Sequence, residues 1–142
     1  MRILPTVAVA ALIACAPGAA VVFAPSPVLA QTGCRASTPQ PGTLARSLIL
    51  NGLRPHVEAM AGEDVEFVVD RIRLACNWAR VRAAPRAPGG RGNHYETVDA
   101  LLERRGGVWR VRHVACAEAD CPSAAEQYRQ AVPSVPTSLL FD

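Results

Sequence analysis

The sequence predicts an α+β domain: one N-terminal helix covering a four-stranded antiparallel meander, with a short C-terminal helix closing the chain. Three observations carry this. Ile49, Leu50, Leu53, Val57 and Met60 recur at helical spacing. Four β-rich segments follow between residues 65 and 117, separated by turn-forming residues. Ser123 and Glu126 then stand at capping-box spacing ahead of a final short helical stretch. A meander with one apolar face needs a cover, and the first helix supplies it, giving an open two-layer sandwich.

Residues 31–42, with Thr38, Pro39, Pro41 and Gly42, read as a flexible lead-in, and residues 43–142 as a single domain. Thr43 is the expected N-cap of the first helix and Gly62 its stop. Pro55 falls inside it, which predicts a kinked helix or two short ones meeting near Asn51 and Gly52. The first strand, Val65 to Leu74, changes its alternation near Val69 and Asp70, as a β-bulge requires. After a turn at Ala75, Cys76 and Asn77, the second strand sets Ala79, Val81 and Ala83 on one face and Trp78, Arg80 and Arg82 on the other, with Pro85 as its expected end. Residues 85–94 read as a flexible loop. The third strand is expected over 95–104, Gly106 and Gly107 form a hairpin turn, and the fourth strand runs from Val108 to Ala117. The last helix is expected over 124–132, stopped by Pro133, with Leu139, Leu140 and Phe141 free to dock on the body.

Residues 1–30 read as a secretory signal. Arg2 supplies a positive start, Ile3 to Ala14 is apolar, and Val28, Leu29 and Ala30 suit a signal peptidase. The leader thus implies a periplasmic or secreted protein with no transmembrane span after cleavage, since Pro5, Pro17 and Gly18 interrupt the apolar run. A competing reading takes Leu12, Ile13, Ala14 and Cys15 as a lipobox, which would leave the protein lipid-anchored through Cys15. Beyond residue 30 stand Cys34, Cys76, Cys116 and Cys121, an even number that reads as a disulfide framework in an oxidising compartment. Topology narrows the pairing. Cys76 and Cys116 fall at opposite ends of strands roughly 25 Å long, whereas a bridge needs Cα atoms within about 7 Å. The expected bridges are Cys34–Cys76 and Cys116–Cys121.

The runs VEFVVDRIRLACNWARVRAAPRAPGG (65–90) and YETVDALLERRGGVWRVRHVAC (95–116) resemble a group of small exported proteins of Gram-negative bacteria. In that group a strand, a turn bearing a Trp-Ala pair and a Pro-Arg-x-Pro-Gly-Gly-type loop recur. The resemblance spans about residues 44–121. It implies an architecture and brings no established activity or catalytic residues. The group commonly carries Gly-Asp before the Trp, where this chain has Cys76 and Asn77, which implies that the bridge through Cys76 is a local addition.

Several chemistries find no footing. The chain has no Gly-x-Ser-x-Gly elbow, no Ser-x-x-Lys and no Cys-x-x-Cys. Ser47 and Ser123 read as helix and cap residues. His56, His94 and His113 are scattered, and the spacing of Cys116 and Cys121 is wider than a zinc knuckle, so neither a metal nor another cofactor is expected. Glu63, Asp64 and Glu66 form one acidic group and Glu118 and Asp120 another, each reading first as solvated turn surface.

Charge placement is the most informative feature. The chain has 15 basic residues, all arginine, and 12 acidic ones. Ten of the arginines but only three acids (Glu96, Asp99 and Glu103) fall between residues 71 and 112. Arg80 and Arg82 point away from the Val81 face, Arg110 and Arg112 share a face of the fourth strand, and Arg91 lies in the loop. The sequence therefore predicts a basic stripe on the outer sheet surface built from Trp78, Arg80, Arg82, Arg110 and Arg112, with Arg91 beside it. Guanidinium groups grip carboxylates and phosphates bidentately. The expectation is a non-catalytic binding module that uses the basic sheet face and the 85–94 loop to hold an anionic envelope component or an acidic protein surface; the compartment argues against nucleic acid. The alternative is a small-molecule or weakly catalytic site between helix and sheet, as in cystatin-like or NTF2-like folds, drawing on His56 or the acids at 63–66.

Overall fold

The structure is a computed structural model that describes residues 33–90 and 95–141. The expected leader, including Cys15, and both Arg91 and His94 lie outside the described residues. Helix α1 spans Leu44–Ala61, and strands β1 (Glu66–Ala75), β2 (Trp78–Arg86), β3 (Val98–Arg105) and β4 (Val108–Val114) follow. Helix α2 (Ala124–Ala131) and a 3-10 turn at Thr137–Leu139 follow, and another 3-10 turn lies at Pro88–Gly90 after β2. The sheet is antiparallel throughout, in the order β1-β2-β3-β4. The α+β class and the open four-stranded meander are those the sequence predicts.

Helix α1 begins where expected. The Thr43 side chain accepts from the Arg46 N–H, and Gly62 closes the helix in the left-handed region, its N–H donating to Glu58 O. Pro55 does not divide it. Asn51, whose carbonyl loses its i+4 donor, and Pro55 are both exposed, so solvent can satisfy the freed carbonyl. Ile49, Leu53 and Val57 are buried against Ile72, Val81, Ala83, Ala100, Leu102 and Trp109 on the inner face of the sheet. A fully buried Leu or Ile contributes ~1.5–3 kcal/mol. Met60 leaves the expected stripe and is 61% exposed, while Val57 and Ala61 carry the contact with the core at this end. Closest approach falls at Gly52, where a Cβ would lie 2.5 Å from Trp109 Cβ and 2.8 Å from Trp109 O.

The bulge expected near Asp70 is present as a register shift between Val69 and Arg71. It keeps Phe67, Val69, Ile72 and Leu74 on the inner core while turning Arg71 and Arg73 outward. Pro85 does not end β2, which runs on to Arg86 paired with β1. The carbonyl of Pro85 accepts from Tyr95 N–H, so its nitrogen faces the side where the β3 ladder has not yet begun, and no ladder bond is lost. The third strand starts at Val98 rather than at 95, and the fourth ends at Val114 rather than at 117, where Gln127 takes over the backbone. Cys116 N–H donates to Gln127 Oε1, and Gln127 Nε2 donates to Cys116 O.

The two-layer expectation needs a correction, since the outer face is not wholly solvated. Ala75, Trp78 and Leu101 form a second core there with Tyr128, Val132, Val135, Leu139 and Leu140. The last helix and the final turn fold back across part of the sheet as a third layer. Leu139 and Leu140 are buried while Phe141 is exposed.

Both bridges are present, Cys34–Cys76 with Cα atoms 5.5 Å apart and Cys116–Cys121 with Cα atoms 6.0 Å apart. The first fastens the lead-in, where Ser37 and Leu74 exchange two backbone hydrogen bonds of 2.8 Å along the β1 edge. Cys76 adopts φ 52°, alone among the described non-glycine residues, at the first central position of a two-residue turn that favours glycine.

Two outcomes follow for stability. Gly52→Ala should lower the urea midpoint, costing about 1–3 kcal/mol, although alanine is the better helix former by about 1 kcal/mol. A raised midpoint would show that the contact with Trp109 is not limiting. The pair Cys34→Ser/Cys76→Gly should be more stable than Cys34→Ser/Cys76→Ser by about 1 kcal/mol, because glycine accepts the left-handed turn without penalty. Both should fall below the parent, whose bridge across a sequence separation of 42 contributes ~4 kcal/mol on loop-entropy grounds.

Candidate anion-binding face

The outer face of β1 and β2 carries two cross-strand arginine pairs. Arg71 stands opposite Arg82, and Arg73 opposite Arg80. These four side chains line one narrow notch of about 20 Å³. Strand alternation and the bulge put them there together: without the extra residue at Asp70, Arg71 and Arg73 would point into the helix-facing core. The bulge also places the Asp70 carboxylate 3.5 Å from Arg82 Nε. A notch of this size admits about one water or one oxyanion oxygen, so a larger anion would rest on it rather than enter.

The quartet divides into fixed and accessible members. Arg80 is fixed. Its Nε and Nη2 donate to Asp99 Oδ1 at 3.0 Å and Oδ2 at 2.8 Å, a bidentate pair, and Nη1 lies 3.4 Å from both Leu139 O and Leu140 O. Its side chain is 17% exposed. Arg73 donates to Phe141 O. Arg82 is 58% exposed, and Arg71 is also exposed.

Asp99 is the hub beneath. Tyr128 OH donates to its Oδ1 at 2.6 Å, and the Arg80 guanidinium lies over the Tyr128 ring. Burial, then the Asp99 charge and hydrogen bond, push the Tyr128 phenol far above its ordinary value, so it stays a donor. His113 meets the same ring edge-on, with centroids 5.8 Å apart.

The expected site residues are thus only partly brought together. Trp78 is 3% exposed and belongs to the second core, so it is no contact residue. Arg80 holds the C-terminal segment down, so its fork is occupied. Arg82 stays on the accessible face. Arg110 and Arg112 are exposed on β4 in a separate patch, where the Glu103 carboxylate sits 2.9 Å from Arg105 Nε and 3.5 Å from Arg112 Nε. Arg91 is not among the described residues. In place of one continuous stripe there are two patches, with Trp78, Leu101 and the C-terminal layer over the remainder of the face. Arg71 and Arg73, counted in the charge excess but not singled out, complete the first patch; the phase change at Asp70 was the signal that turns them outward.

The other candidates separate. His56 is exposed on α1, on the helix side of the sheet, whereas His113 lies on the outer face. Glu66 is engaged by Arg86 at 3.3 Å and by Gly89 N–H at 3.2 Å, and Glu63 accepts from Tyr95 OH. Among the described residues no group of three or more His, Cys, Asp or Glu is placed to hold a metal ion, and no helix is long and apolar enough to cross a membrane. No family model, curated protein or solved structure matches the chain.

The buried phenol sets an alkaline limit. The unfolded Tyr128 ionises near pH 10 and the folded one does not, so its contribution is complete below about pH 10 and falls by ~1.4 kcal/mol per pH unit above it. Urea unfolding of the parent should therefore lose stability more steeply between pH 10 and 11.5 than Tyr128→Phe does; equal slopes would mean the phenol ionises while folded.

Proposed function

We propose that the protein is an exported, non-catalytic binding module that holds an anionic partner on the arginine face of β1 and β2. The observation that carries this is the ladder register, in which Arg71 faces Arg82 and Arg73 faces Arg80. Like charges directly opposite one another in a sheet are unfavourable; Asp99 at Arg80 and Asp70 at Arg82 offset part of this, and an anion resting across the pairs would offset more. Arg71 and Arg82 are both exposed, and guanidinium groups suit phosphate or carboxylate oxygens. The two disulfides and the leader-like residues 1–30 support a place outside the cytoplasm, where partners of this chemistry are anionic envelope polymers, lipid phosphates and acidic protein surfaces.

The Arg71→Glu/Arg82→Glu double variant tests this, because both positions are exposed and neither belongs to the buried Asp99 network. The oxidised protein should be retained on envelope material at low salt and released at about 0.5 M salt, where the Debye length shrinks to a few ångströms. The double variant should bind at least about tenfold more weakly, each reversed charge being worth on the order of 1 kcal/mol at the surface, with its thermal midpoint little changed. Undiminished binding by the folded variant would remove the arginine face as the site.

A further inference from the structure

A separate cavity lies on the inner side of the sheet, at the C-terminal end of α1. It has a volume of about 310 Å³. Val57 and Ala61 of α1, Pro85 of β2, Val98 of β3 and Val114 of β4 give it apolar walls, and exposed Met60 stands at its rim. Val57, Pro85 and Val98 are buried, so the floor is continuous with the inner core. Space of this size admits about ten water-sized atoms and falls at the small end of ligand pockets, roughly 300–1,000 Å³.

Among the described residues, the charged groups lining this mouth have one sign. Glu96, Glu118 and Tyr95 line it, and the Tyr95 hydroxyl donates a hydrogen bond to the Glu63 carboxylate. No arginine is among the described lining residues. Arg86, the nearest in sequence to Pro85, is turned to Glu66 on the β1 side. An apolar recess bounded by a phenol ring and carboxylates repels anions and favours a cation with a hydrocarbon body, through Coulomb attraction and the ring's negative face.

We infer that this recess is a binding site for a small amphiphilic ammonium ion, its hydrocarbon part seated on Val57, Val98 and Val114 and its charged head between Tyr95, Glu96 and Glu118. The site is separate from the arginine face and takes the opposite charge, so the molecule presents an anion-binding outer surface and a cation-binding inner end.

The test is an NMR titration of the ¹⁵N-labelled full protein, both disulfides formed, with hexyltrimethylammonium and, separately, hexane-1-sulfonate. The ammonium ion should give saturable shifts at the Val57, Val98 and Val114 amides, whereas any binding of the sulfonate should appear at Arg71–Arg82. Glu96→Gln/Glu118→Gln should weaken the ammonium complex about tenfold, the loss of two nearby surface charges. Ala61→Leu, which fills the recess with hydrocarbon, should abolish it while keeping the fold. The inference is overturned if the ammonium ion leaves those three amides unmoved, if the sulfonate shifts them equally, or if Ala61→Leu binds as the parent does. These readouts concern different residues from those of the arginine face, so either proposal can fail without the other.

Discussion

Asp99 is the point on which the outer half of the molecule depends. Its carboxylate receives two bonds from Arg80 on β2 and one from Tyr128 on α2, while Arg80 reaches on to the carbonyls of Leu139 and Leu140. One acidic side chain thereby ties a central strand, the last helix and the final turn to the sheet. A mostly buried ion pair of this kind adds little net stability by itself, because desolvation offsets much of the attraction. Its consequence is geometric. With the polar groups matched at Asp99, the apolar side chains of Trp78, Leu101, Tyr128 and Leu139 can close over the sheet without leaving a charge stranded. Removing either partner would leave an uncompensated group under that layer.

The inner layer was legible because its signals are local and periodic. Thr43 and Gly62 mark the ends of α1, Gly106 and Gly107 supply the positive φ values of their turn (56° and 81°), and the altered alternation at Val69 and Asp70 marks the bulge. The bridges followed from strand length, which separates Cys76 from Cys116, and from a helix antiparallel to the first strand, whose start falls near Cys76. The outer layer was not read, though part of its signal was present. Trp78 and Leu101 both fall on the face assigned to solvent, and two large apolar residues on neighbouring strands of one face need a cover. Arg80 and Arg82, on the same face two residues apart, looked equivalent in sequence. They differ because Asp99, opposite Arg82 in the ladder, reaches diagonally to Arg80, while the bulge supplies Asp70 to Arg82. Such diagonal choices depend on side-chain reach across three strands, which periodicity does not encode.

The turn at Cys76 illustrates a related trade. A two-residue hairpin asks for positive φ at its first central position, and a cysteine there carries a conformational cost of about 1–2 kcal/mol. The loop-closing effect of the bridge to Cys34 exceeds that cost, and it fastens the lead-in along the otherwise open edge of β1 through the Ser37–Leu74 pair. An edge strand whose backbone is engaged in this way is less available to pair with another chain.

The arginine-only basic composition bears on how one face serves two ends. A lysine at position 80 would offer a point charge to Asp99 and have no second edge for the carbonyls of the C-terminal segment; the guanidinium serves both at once. Arg71 and Arg82 stand opposite one another in the ladder, and it is on this pair that the proposed anion site rests. The inner face of β1 and β2 joins the α1 core through Ile72, Val81 and Ala83, and the outer face is tied at Asp99, so the strands that carry the four guanidinium groups are held from both sides. The rigidity supplied by the two cores is what keeps the opposed pairs in place, and the anion-binding proposal rests on that rigidity as much as on the charge.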